Sequence, residues 1–301
     1  MTRLSIVIPT FNRKEKLIRL LRSIDDCNSN DCEIIVVDDH STDGTDEIIK
    51  DFPQVKYIKH QQETLVAKSL NDGISMATSE LVMVIDDDNV VANDTISKLV
   101  EYMNNNPEVG VAGPVSCYLS IPNKVMYAGS IYTKFTRRTV FLHRNSSAST
   151  LNGKSIEADG IANSFMFRKS LALEVGLIPY KRVPWNGEDG YLIYKIKKLG
   201  KKVVVLGDSK IYHDVNPDQK DRYNSFRLYY AIRSKIIFHM DLDDTLHKFS
   251  FIMSLPGYLF SYLLITQGTN LPLPERVYWM VVGIIDGLKR LEVIKIPKDN
   301  R

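Results

Sequence analysis

Short apolar runs alternate with amphipathic segments along the first ninety residues of the chain. The runs are rich in β-branched residues, as buried strands are, and cover residues 4–8, 33–39, 55–60 and 81–86. Helical patterns fill the gaps between them, at residues 12–24, 45–52 and 65–77. This alternation predicts an α/β fold with a Rossmann-like half, in which helices cover both faces of a mostly parallel sheet.

The first of these helices has a clear apolar face and a predicted start. Its apolar positions recur at helical spacing and are Leu17, Leu20, Leu21 and Ile24. Asn12, followed three residues later by Glu15, predicts a capping box at its N-terminus.

Polar residues follow the predicted strands at the point where each strand ends. The ends read "PTFNR" from Pro9, "DDHSTDGT" from Asp38 and "DDDN" from Asp86. Because open α/β sheets bind ligands beyond the carboxyl ends of their strands, we expect one polar rim to hold the ligand.

The pattern changes after residue 117. Residues 124–143 predict a hairpin or a variable excursion, and helices are predicted to end at Gly176 and Gly200. Residues 201–207 and 209–213 predict two strands, and a long helix is expected over 218–240 with two apolar helical stretches after it.

Composition and charge exclude several classes of protein. The chain has 301 residues, 44% of them apolar, and a net charge of +3 without dense basic blocks, so a nucleic-acid partner is not expected. The three cysteines are odd in number and lack metal-ligand spacing, which favours a reducing, cytoplasmic location over a disulfide scaffold. "MTR" leads directly into the first strand, so no signal peptide is predicted.

Three consecutive aspartates, Asp86 to Asp88, follow a buried strand, although each carboxylate makes the next harder to ionise. Three interpretations stay open from the residues alone. The cluster is a solvated loop, a phosphoacceptor site, or a divalent-metal site that bridges to a diphosphate.

An EF-hand loop is excluded as an explanation of the second rim segment. Asp39, Ser41, Asp43 and Gly44 match the first half of such a loop. However, Lys50 stands where a bidentate Glu is required, and a strand precedes the segment instead of a helix.

The motifs "IVIPTFNR", "VVDDHSTDGT" and "VIDDDN", in this order, resemble those of the inverting family 2 glycosyltransferases, which have the GT-A fold. "GIANSFMFRKSLALEVG" and "GEDGYLIYKIKKLG" are similar to later segments of that family, and "YYAIRSKIIF" is similar to a segment of its rhamnosyltransferase-like and galactofuranosyltransferase-like members. The resemblance spans Leu4 to Phe238 and rests on the ordered set, since each motif alone is weak.

The resemblance implies a nucleoside-diphosphate-sugar donor, with UDP, GDP or dTDP as the nucleotide, and Mg²⁺ or Mn²⁺ as cofactor. It assigns nucleotide contacts to Pro9, Thr10, Arg13, Asp38, Asp39, Asp86, Asp87, Arg227 and Arg233. It assigns the metal to Asp88 with Asp86 and His213. Which of the three aspartates touches the metal stays open.

The same resemblance implies that Asp189 is the catalytic base and that Glu188 positions the acceptor. By themselves these acids also fit a helix N-terminus, His213 fits a buried strand, and Arg227 and Arg233 fit a solvated helix face. Two positions depart from the family pattern: Tyr191 replaces an Asp, and Ser234 replaces the Asn of an "RN" pair.

The resemblance further implies a glycosyltransferase domain over residues 1–240, with a nucleotide-sugar-binding half at 1–117 and an acceptor-side half at 118–240. Residues 241–301 would form C-terminal apolar or amphipathic helices. Between Lys248 and Glu275 lie 26 residues without a formal charge. They predict either a helix pair packed on the domain or, through residues 249–285, peripheral contact with the cytoplasmic face of a membrane.

The sequence therefore predicts a glycosyltransferase that uses a glycan or a polyprenyl-linked acceptor. Two alternatives remain: a sugar-phosphate nucleotidyltransferase, and a sugar-nucleotide-binding protein without activity. The first is weakened because "PTFNR" has no glycine where such enzymes have a Gly-rich loop.

Overall fold

The structure is a computed structural model, and it describes residues 4–26, 32–216, 224–269, 271–290 and 292. Some predicted features lie outside this part of the chain. They are Cys27, residues 218–223 of the long predicted helix, and the basic residues Lys295, Lys298 and Arg301.

The strands and helices of the first half follow the predicted alternation. In chain order they are β1 Leu4–Thr10, α1 Lys14–Asp26, β2 Cys32–Asp38, α2 Thr45–Ile48, β3 Val55–Lys59, α3 Val66–Met76, β4 Leu81–Ile85, β5 Asn89–Val91, α4 Thr95–Asn105 and β6 Val109–Tyr118.

The second half contains a hairpin region and then returns to regular elements. These are β7 Ile121–Tyr127, β8 Ser130–Tyr132, β9 Thr139–Phe141, β10 Ser155–Glu157, β11 Ser164–Arg168, α5 Lys169–Glu174, α6 Glu188–Lys198 and β12 Lys202–His213. Three helices complete the described chain: α7 Ser225–Leu242, α8 Thr245–Ile265 and α9 Leu273–Lys289.

Within the described residues, ten strands form one mixed sheet. Its main order is β10-β12-β6-β11-β4-β1-β2-β3, with β5 paired to β12 and β7 to β6. The neighbours β4, β1, β2 and β3 are parallel, as are β6 and β12, whereas β11 runs antiparallel to both β4 and β6. The predicted α/β class and mostly parallel sheet are confirmed.

The core lies on both faces of this sheet because alternate residues of β1 point to opposite sides. Ile6 and Ile8 join a buried cluster with the predicted apolar face of α1. Val7 joins the opposite cluster, which contains Leu70 and Ile74 of α3. Helix α3 packs closely because Gly73 faces Val7, where a Cβ would stand 2.3 Å from Cγ1 of Val7.

The predicted capping box of α1 is wrong. The Asn12 side chain instead accepts a hydrogen bond from the backbone N–H of Thr42 at 2.8 Å, and the N–H of Lys14 donates to the Asp43 carboxylate at 2.9 Å. The loops after β1 and β2 therefore cap each other, an interaction between segments about 30 residues apart that local spacing does not show.

The two strands predicted at 201–213 form one strand. Its pairing with β6 shifts register between Leu206 and Lys210, which is a bulge. Gly207 lies in this bulge, where a Cβ would stand only 1.8 Å from the carbonyl oxygen of Leu151. A glycine is needed here because the backbone of Leu151 occupies the space that a Cβ would take.

The excursion predicted near residue 130 contains a separate two-stranded sheet. Strands β8 and β9 pair antiparallel, with Ser130 opposite Phe141 and Tyr132 opposite Thr139. We call residues 130–141 the β8–β9 hairpin. The long helix predicted to end near Met240 is α7, and its described part begins at Ser225, where the Asn224 side chain accepts from the N–H of Arg227 at 2.9 Å.

Candidate active site

The acidic end of β4 meets basic and hydroxyl groups from the end of β1. The Thr10 hydroxyl donates to the Asp87 carboxylate at 2.8 Å. The Arg13 guanidinium donates through Nη1 to Asp87 at 2.9 Å and to Asp88 at 3.1 Å. These contacts explain how a buried strand can end in three carboxylates, because a cation and a hydroxyl compensate two of them.

Asp88 is held in its charged form. Burial raises the pKa of Asp88, but the hydrogen bond and charge of His213, with the charges of Arg13 and Lys16, lower it to about 2. The Nε2 atom of His213 lies 3.0 Å from Asp88 Oδ1, and Lys16 Nζ lies 4.0 Å from Oδ2. Lys16 was missed by the sequence analysis, since a lysine on an amphipathic helix has no distinguishing signal.

His213 is brought to this site because β12 runs beside β5 and β6 at the same edge. Its Nδ1 atom lies 2.8 Å from the side-chain Nδ2 of Asn163, and the N–H of Asp214 donates to the Asp88 carbonyl at 2.9 Å. The end of β12 is thereby joined to the end of β4.

Asn163 connects three parts of the site. Its carbonyl accepts from the N–H of Asp86 at 2.8 Å, its side chain meets His213, and its backbone N–H hydrogen-bonds the carboxyl of Asp189. The residue has φ 66°, a left-handed conformation that asparagine adopts more readily than most residues. The sequence analysis quoted its motif without assigning this residue a role.

Glu188 and Asp189 begin α6 and are half-buried. Burial and the charge of Glu188 raise the pKa of Asp189 well above its ordinary value. Burial, with a further contribution from Asp86, raises the pKa of Glu188 to about 7. Carboxyl groups with raised pKa values in a cleft are suited to accept a proton near neutral pH.

Asp86 faces these two acids across the site. Burial raises its pKa strongly, and the next largest cause is the charge of Asp189, ahead of its own neighbours Asp88 and Asp87. The aspartates after β4 and the acids at the start of α6, about a hundred residues apart in sequence, therefore form one acidic cleft.

Helix α7 supports the loop that leads into α6. Arg233 is 0% exposed, and its Nη1 donates to the carbonyl of Arg182. Ser234 donates to the carbonyl of Trp185 at 2.8 Å. The two residues of the "RS" pair thus hold backbone of the loop that positions Glu188 and Asp189.

Arg227, the other predicted diphosphate contact on α7, lies over an aromatic ring. Its guanidinium carbon is 5.6 Å from the centre of the Trp185 ring. This cation–π contact places Arg227 beside the same loop that Arg233 supports.

Asp38 is used inside the fold. Asp38 is 0% exposed and accepts from the N–H of Ser41 at 2.7 Å and from the Tyr57 hydroxyl. Pro9 is also buried, paired with Val37 in the β1–β2 register. Both residues lie at the predicted rim, where their buried contacts hold the ends of β1 and β2 in place.

Asp39 holds the loop before α3. Its carboxylate accepts from the backbone N–H groups of Thr64 and Leu65, both at 2.7 Å, and from the Thr64 hydroxyl at 2.8 Å, and it lies 3.0 Å from His60 Nδ1. Leu65 has φ 72°, a costly conformation for this residue. These hydrogen bonds stabilise the strained turn.

The residues at the end of β4 fit a divalent cation that is shared with a diphosphate. Among the described residues, no cluster of three His, Cys, Asp or Glu side chains could hold a metal ion. Asp88 and His213 are nevertheless side chains of types that bind divalent cations, and they lie in direct contact with each other, with Nε2 of His213 3.0 Å from Oδ1 of Asp88. Mg²⁺ commonly has one or two protein ligands and completes its shell with phosphate and water.

An α/β sheet with an acidic cleft at the carboxyl ends of its strands defines a protein of the GT-A class. Residues 5–176 match the family model "Glycosyl transferase family 2". The chain belongs to this family, which confirms the resemblance found in the motifs and leaves the nucleotidyltransferase alternative without support.

Similar curated proteins include bacterial glycosyltransferases. A Campylobacter jejuni protein named GalNAc(5)-diNAcBac-PP-undecaprenol beta-1,3-glucosyltransferase is 34% identical over 109 residues, which are 35% of each chain. The poly(ribitol-phosphate) beta-N-acetylglucosaminyltransferase TarP of Staphylococcus aureus is 24% identical over 75% of this chain and 66% of its own. The match thus spans about a third of the first relative and two thirds of TarP.

Solved structures share the fold. S. aureus TarS residues 1–349 in complex with UDP-GlcNAc aligns with 98% of this chain and 81% of its own, at a TM-score of 0.64 and 17% identity. A Pyrobaculum calidifontis mannosyltransferase in complex with GDP-Man and Mn²⁺ aligns with 95% of this chain and 87% of its own, at a TM-score of 0.58 and 16% identity. The predicted GT-A fold is confirmed.

Proposed function

We propose that this protein is an inverting glycosyltransferase that moves a sugar from a nucleoside-diphosphate-sugar to an acceptor hydroxyl. One observation carries the proposal: the acidic end of β4 and the acids at the start of α6 face each other closely enough for Asp189 to raise the pKa of Asp86. An in-line transfer needs a donor side and an acceptor side on opposite faces of one sugar, and we assign the end of β4 to the donor side and the start of α6 to the acceptor side.

The donor side lies at the ends of β1, β2 and β4. Thr10 and Arg13 fix Asp87 and Asp88, and the guanidinium of Arg13 offers positive charge to a diphosphate. Pro9, Asp38 and Asp39 shape the rim beside the base and ribose, and Asp86 faces the ribose. Arg227 and Arg233, the predicted diphosphate contacts on α7, lie against the loop that leads into α6.

Asp88 and His213 would hold Mg²⁺ or Mn²⁺, with Asp86 nearby. When bound, the cation neutralises the negative charge that develops on the leaving diphosphate. The low pKa of Asp88 keeps this ligand ionised. The mannosyltransferase of similar fold was solved with Mn²⁺ and its nucleotide sugar, which is consistent with this cofactor.

The acceptor side lies at the start of α6. Asp189 acts as general base for the acceptor hydroxyl, and its raised pKa increases the affinity of this carboxylate for the proton. Glu188 positions the acceptor and, by its charge, keeps the proton affinity of Asp189 high.

We infer that the acceptor is a glycan or a polyprenyl-linked glycan at the cytoplasmic face of the cell membrane. Support comes from the apolar helices after residue 240 and from the C. jejuni relative, whose name includes a PP-undecaprenol acceptor. We assign donor binding to residues 1–117, acceptor binding to 118–240 and membrane contact to the helices of 241–301.

The first test is Asp189→Asn. Because this change removes the base and leaves the β4 end intact, transfer should fall about 10²- to 10⁴-fold while nucleotide affinity changes little. Calorimetric titration of UDP, GDP and dTDP, with and without Mn²⁺, identifies the donor class and supplies the affinity measurement.

Asp88→Ala is the matched variant on the donor side, and it should abolish the metal-dependent part of nucleotide binding. Full transfer by Asp189→Asn would move the base to another residue. Failure of all three nucleotides to bind with Mn²⁺ would instead favour a protein without transferase activity.

A further inference from the structure

Helix α8 exposes an apolar stripe along its length. The exposed residues recur every three or four positions and are Leu246, Phe249, Met253, Pro256, Phe260 and Leu264. On the other side, Phe251 is buried, and Leu255 and Leu259 pack on the cluster formed with α7. The stripe therefore has no partner within the described chain, and exposed apolar area of this kind marks an interaction surface.

By length and composition α8 could cross a membrane, since it has 21 residues and contains an 18-residue window with a mean hydropathy of 1.3. Its inner face, however, packs along α7, and the Ser254 hydroxyl donates to the carbonyl of Thr136 in the β8–β9 hairpin. An in-plane position fits these contacts, because a spanning helix would have to leave α7.

The tip of the β8–β9 hairpin continues this surface. The Ser254 hydroxyl donates to the carbonyl of Thr136 at 2.9 Å. Phe135, next to Thr136, is 78% exposed. The exposed apolar tip of the hairpin and the α8 stripe are thus directly connected.

Charge on this surface is mainly positive, although one exposed acid, Asp244, stands at the start of α8, where it contacts His247 at 2.8 Å. Lys134, Arg138 and Arg144 are exposed on and beside the hairpin, and no Asp or Glu occurs from residue 130 to 156. The chain also has no Asp or Glu from residue 245 to 274. Apolar side chains beside cationic ones complement an anionic lipid surface, whereas a second copy of the same surface would bring like charges together.

We propose that the α8 stripe and the hairpin tip, with Lys134, Arg138 and Arg144, form a docking surface for an anionic lipid bilayer. Phe135 and the stripe enter the headgroup boundary, and the basic residues contact the headgroups. This α8–hairpin surface assigns a role to the hairpin that the sequence did not predict.

The same hairpin reaches the acceptor side of the cleft. The Tyr132 hydroxyl lies 3.4 Å from the point where a Cβ on Gly190 would stand, and Gly190 follows Asp189. In the docked protein, the tip of the hairpin would therefore contact the membrane, while Tyr132 at its other end lies beside the residue that follows Asp189. Resting on the proposed function, this arrangement favours an acceptor whose lipid end stays in the bilayer while its sugar end enters the cleft.

Co-sedimentation of the full chain with vesicles tests the surface. We expect binding to phosphatidylcholine vesicles that contain phosphatidylglycerol, weaker binding to pure phosphatidylcholine, and weakening by salt. The double variant Met253→Glu/Phe260→Glu should lose binding, and Arg138→Ser/Arg144→Ser should weaken it about tenfold or more. The matched controls are Leu173→Glu and Lys50→Ser, exposed residues outside the surface, and they should bind like the parent chain.

The proposal is overturned if the parent chain does not sediment with anionic vesicles, or if Met253→Glu/Phe260→Glu still does. A dimer that this variant dissociates, seen by analytical ultracentrifugation without vesicle binding, would assign the stripe to a second copy. Calorimetric nucleotide binding is measured on the same variants. If the parent chain binds vesicles but none of the nucleotides, the proposed function is rejected and the docking surface remains supported.

Discussion

At the scale of single residues, the site is a set of carboxylates whose surroundings shift their pKa values in opposite directions. Asp88 is surrounded by Arg13, Lys16 and His213, and its pKa falls to about 2. Asp86 is buried beside Asp189, Asp88 and Asp87, Asp189 is buried beside Glu188, and the pKa values of Asp86 and Asp189 rise. Environments that push the pKa values of like groups apart separate an ionised ligand from a proton acceptor.

Glu188→Gln should change the pH dependence of transfer. Because the charge of Glu188 contributes to the raised pKa of Asp189, removal of that charge should move the acid limb of the kcat/KM profile to lower pH. Stopped-time assays of transfer at a series of pH values measure the position of the acid limb of the kcat/KM profile. Glu174→Gln, at an exposed acid of α5, is the control and should leave it in place; an unshifted limb in Glu188→Gln would separate Asp189 from the observed titration.

At the scale of elements, close packing of α3 on the sheet positions the loop that Asp39 holds. The approach depends on Gly73, since a Cβ there would stand 2.3 Å from Val7 and 3.3 Å from Val37. Contacts this short require the helix or the strand to shift.

Gly73→Ala should therefore lower the free energy of unfolding by about 1–3 kcal/mol, measured by urea denaturation. The control is Gly257→Ala in α8, where a Cβ meets nothing within 4 Å. That variant should gain about 0.5–1 kcal/mol from helix propensity. Stabilisation by both substitutions would show that propensity outweighs packing at Gly73.

At the scale of the whole molecule, a buried polar cluster joins the hairpin to α7 just before α8. Arg137 of the hairpin binds Asp243 through two hydrogen bonds, and Asp243 also contacts His239 at 2.9 Å. Lys235 donates to Thr139 beside them. Burial, with the charge of Arg137, lowers the pKa of Lys235 to about 7.

This shift makes stability depend on pH. The unfolded chain binds the Lys235 proton up to about pH 10 and the folded protein only up to about pH 7, so the contribution of Lys235 to stability rises with pH between these values. Lys235→Met should remove up to about 1.4 kcal/mol per pH unit of that rise, measured by urea denaturation from pH 7 to 9.5. Lys50→Met, at an exposed site, should keep the parent slope; an identical slope in Lys235→Met would contradict the shift.

Much of the fold and part of the site were predictable from local pattern. The strand and helix alternation predicted the sheet because burial on two faces imposes its period on the sequence. The rim motifs predicted where the aspartates would lie, since parallel strands end at one edge.

Other features depended on contacts between distant segments. The mutual caps of Asn12 and Asp43, the three-way connection made by Asn163, and the burial of Arg233 under the α6 loop each join residues 26 or more positions apart. The type of a side chain determines which hydrogen bonds it can make, whereas the identity of its partner is determined only when the chain is folded.

By itself, the sequence determined the α/β class, the family and the acidic strand end, because periodicity and ordered motifs are properties of neighbouring residues. Only the tertiary structure decided which carboxylate stays ionised, which ones keep a raised pKa, and that the hairpin meets both α8 and the residue after Asp189. The physical reason is that burial and charge–charge interactions depend on distance in space, and distance in sequence does not fix it.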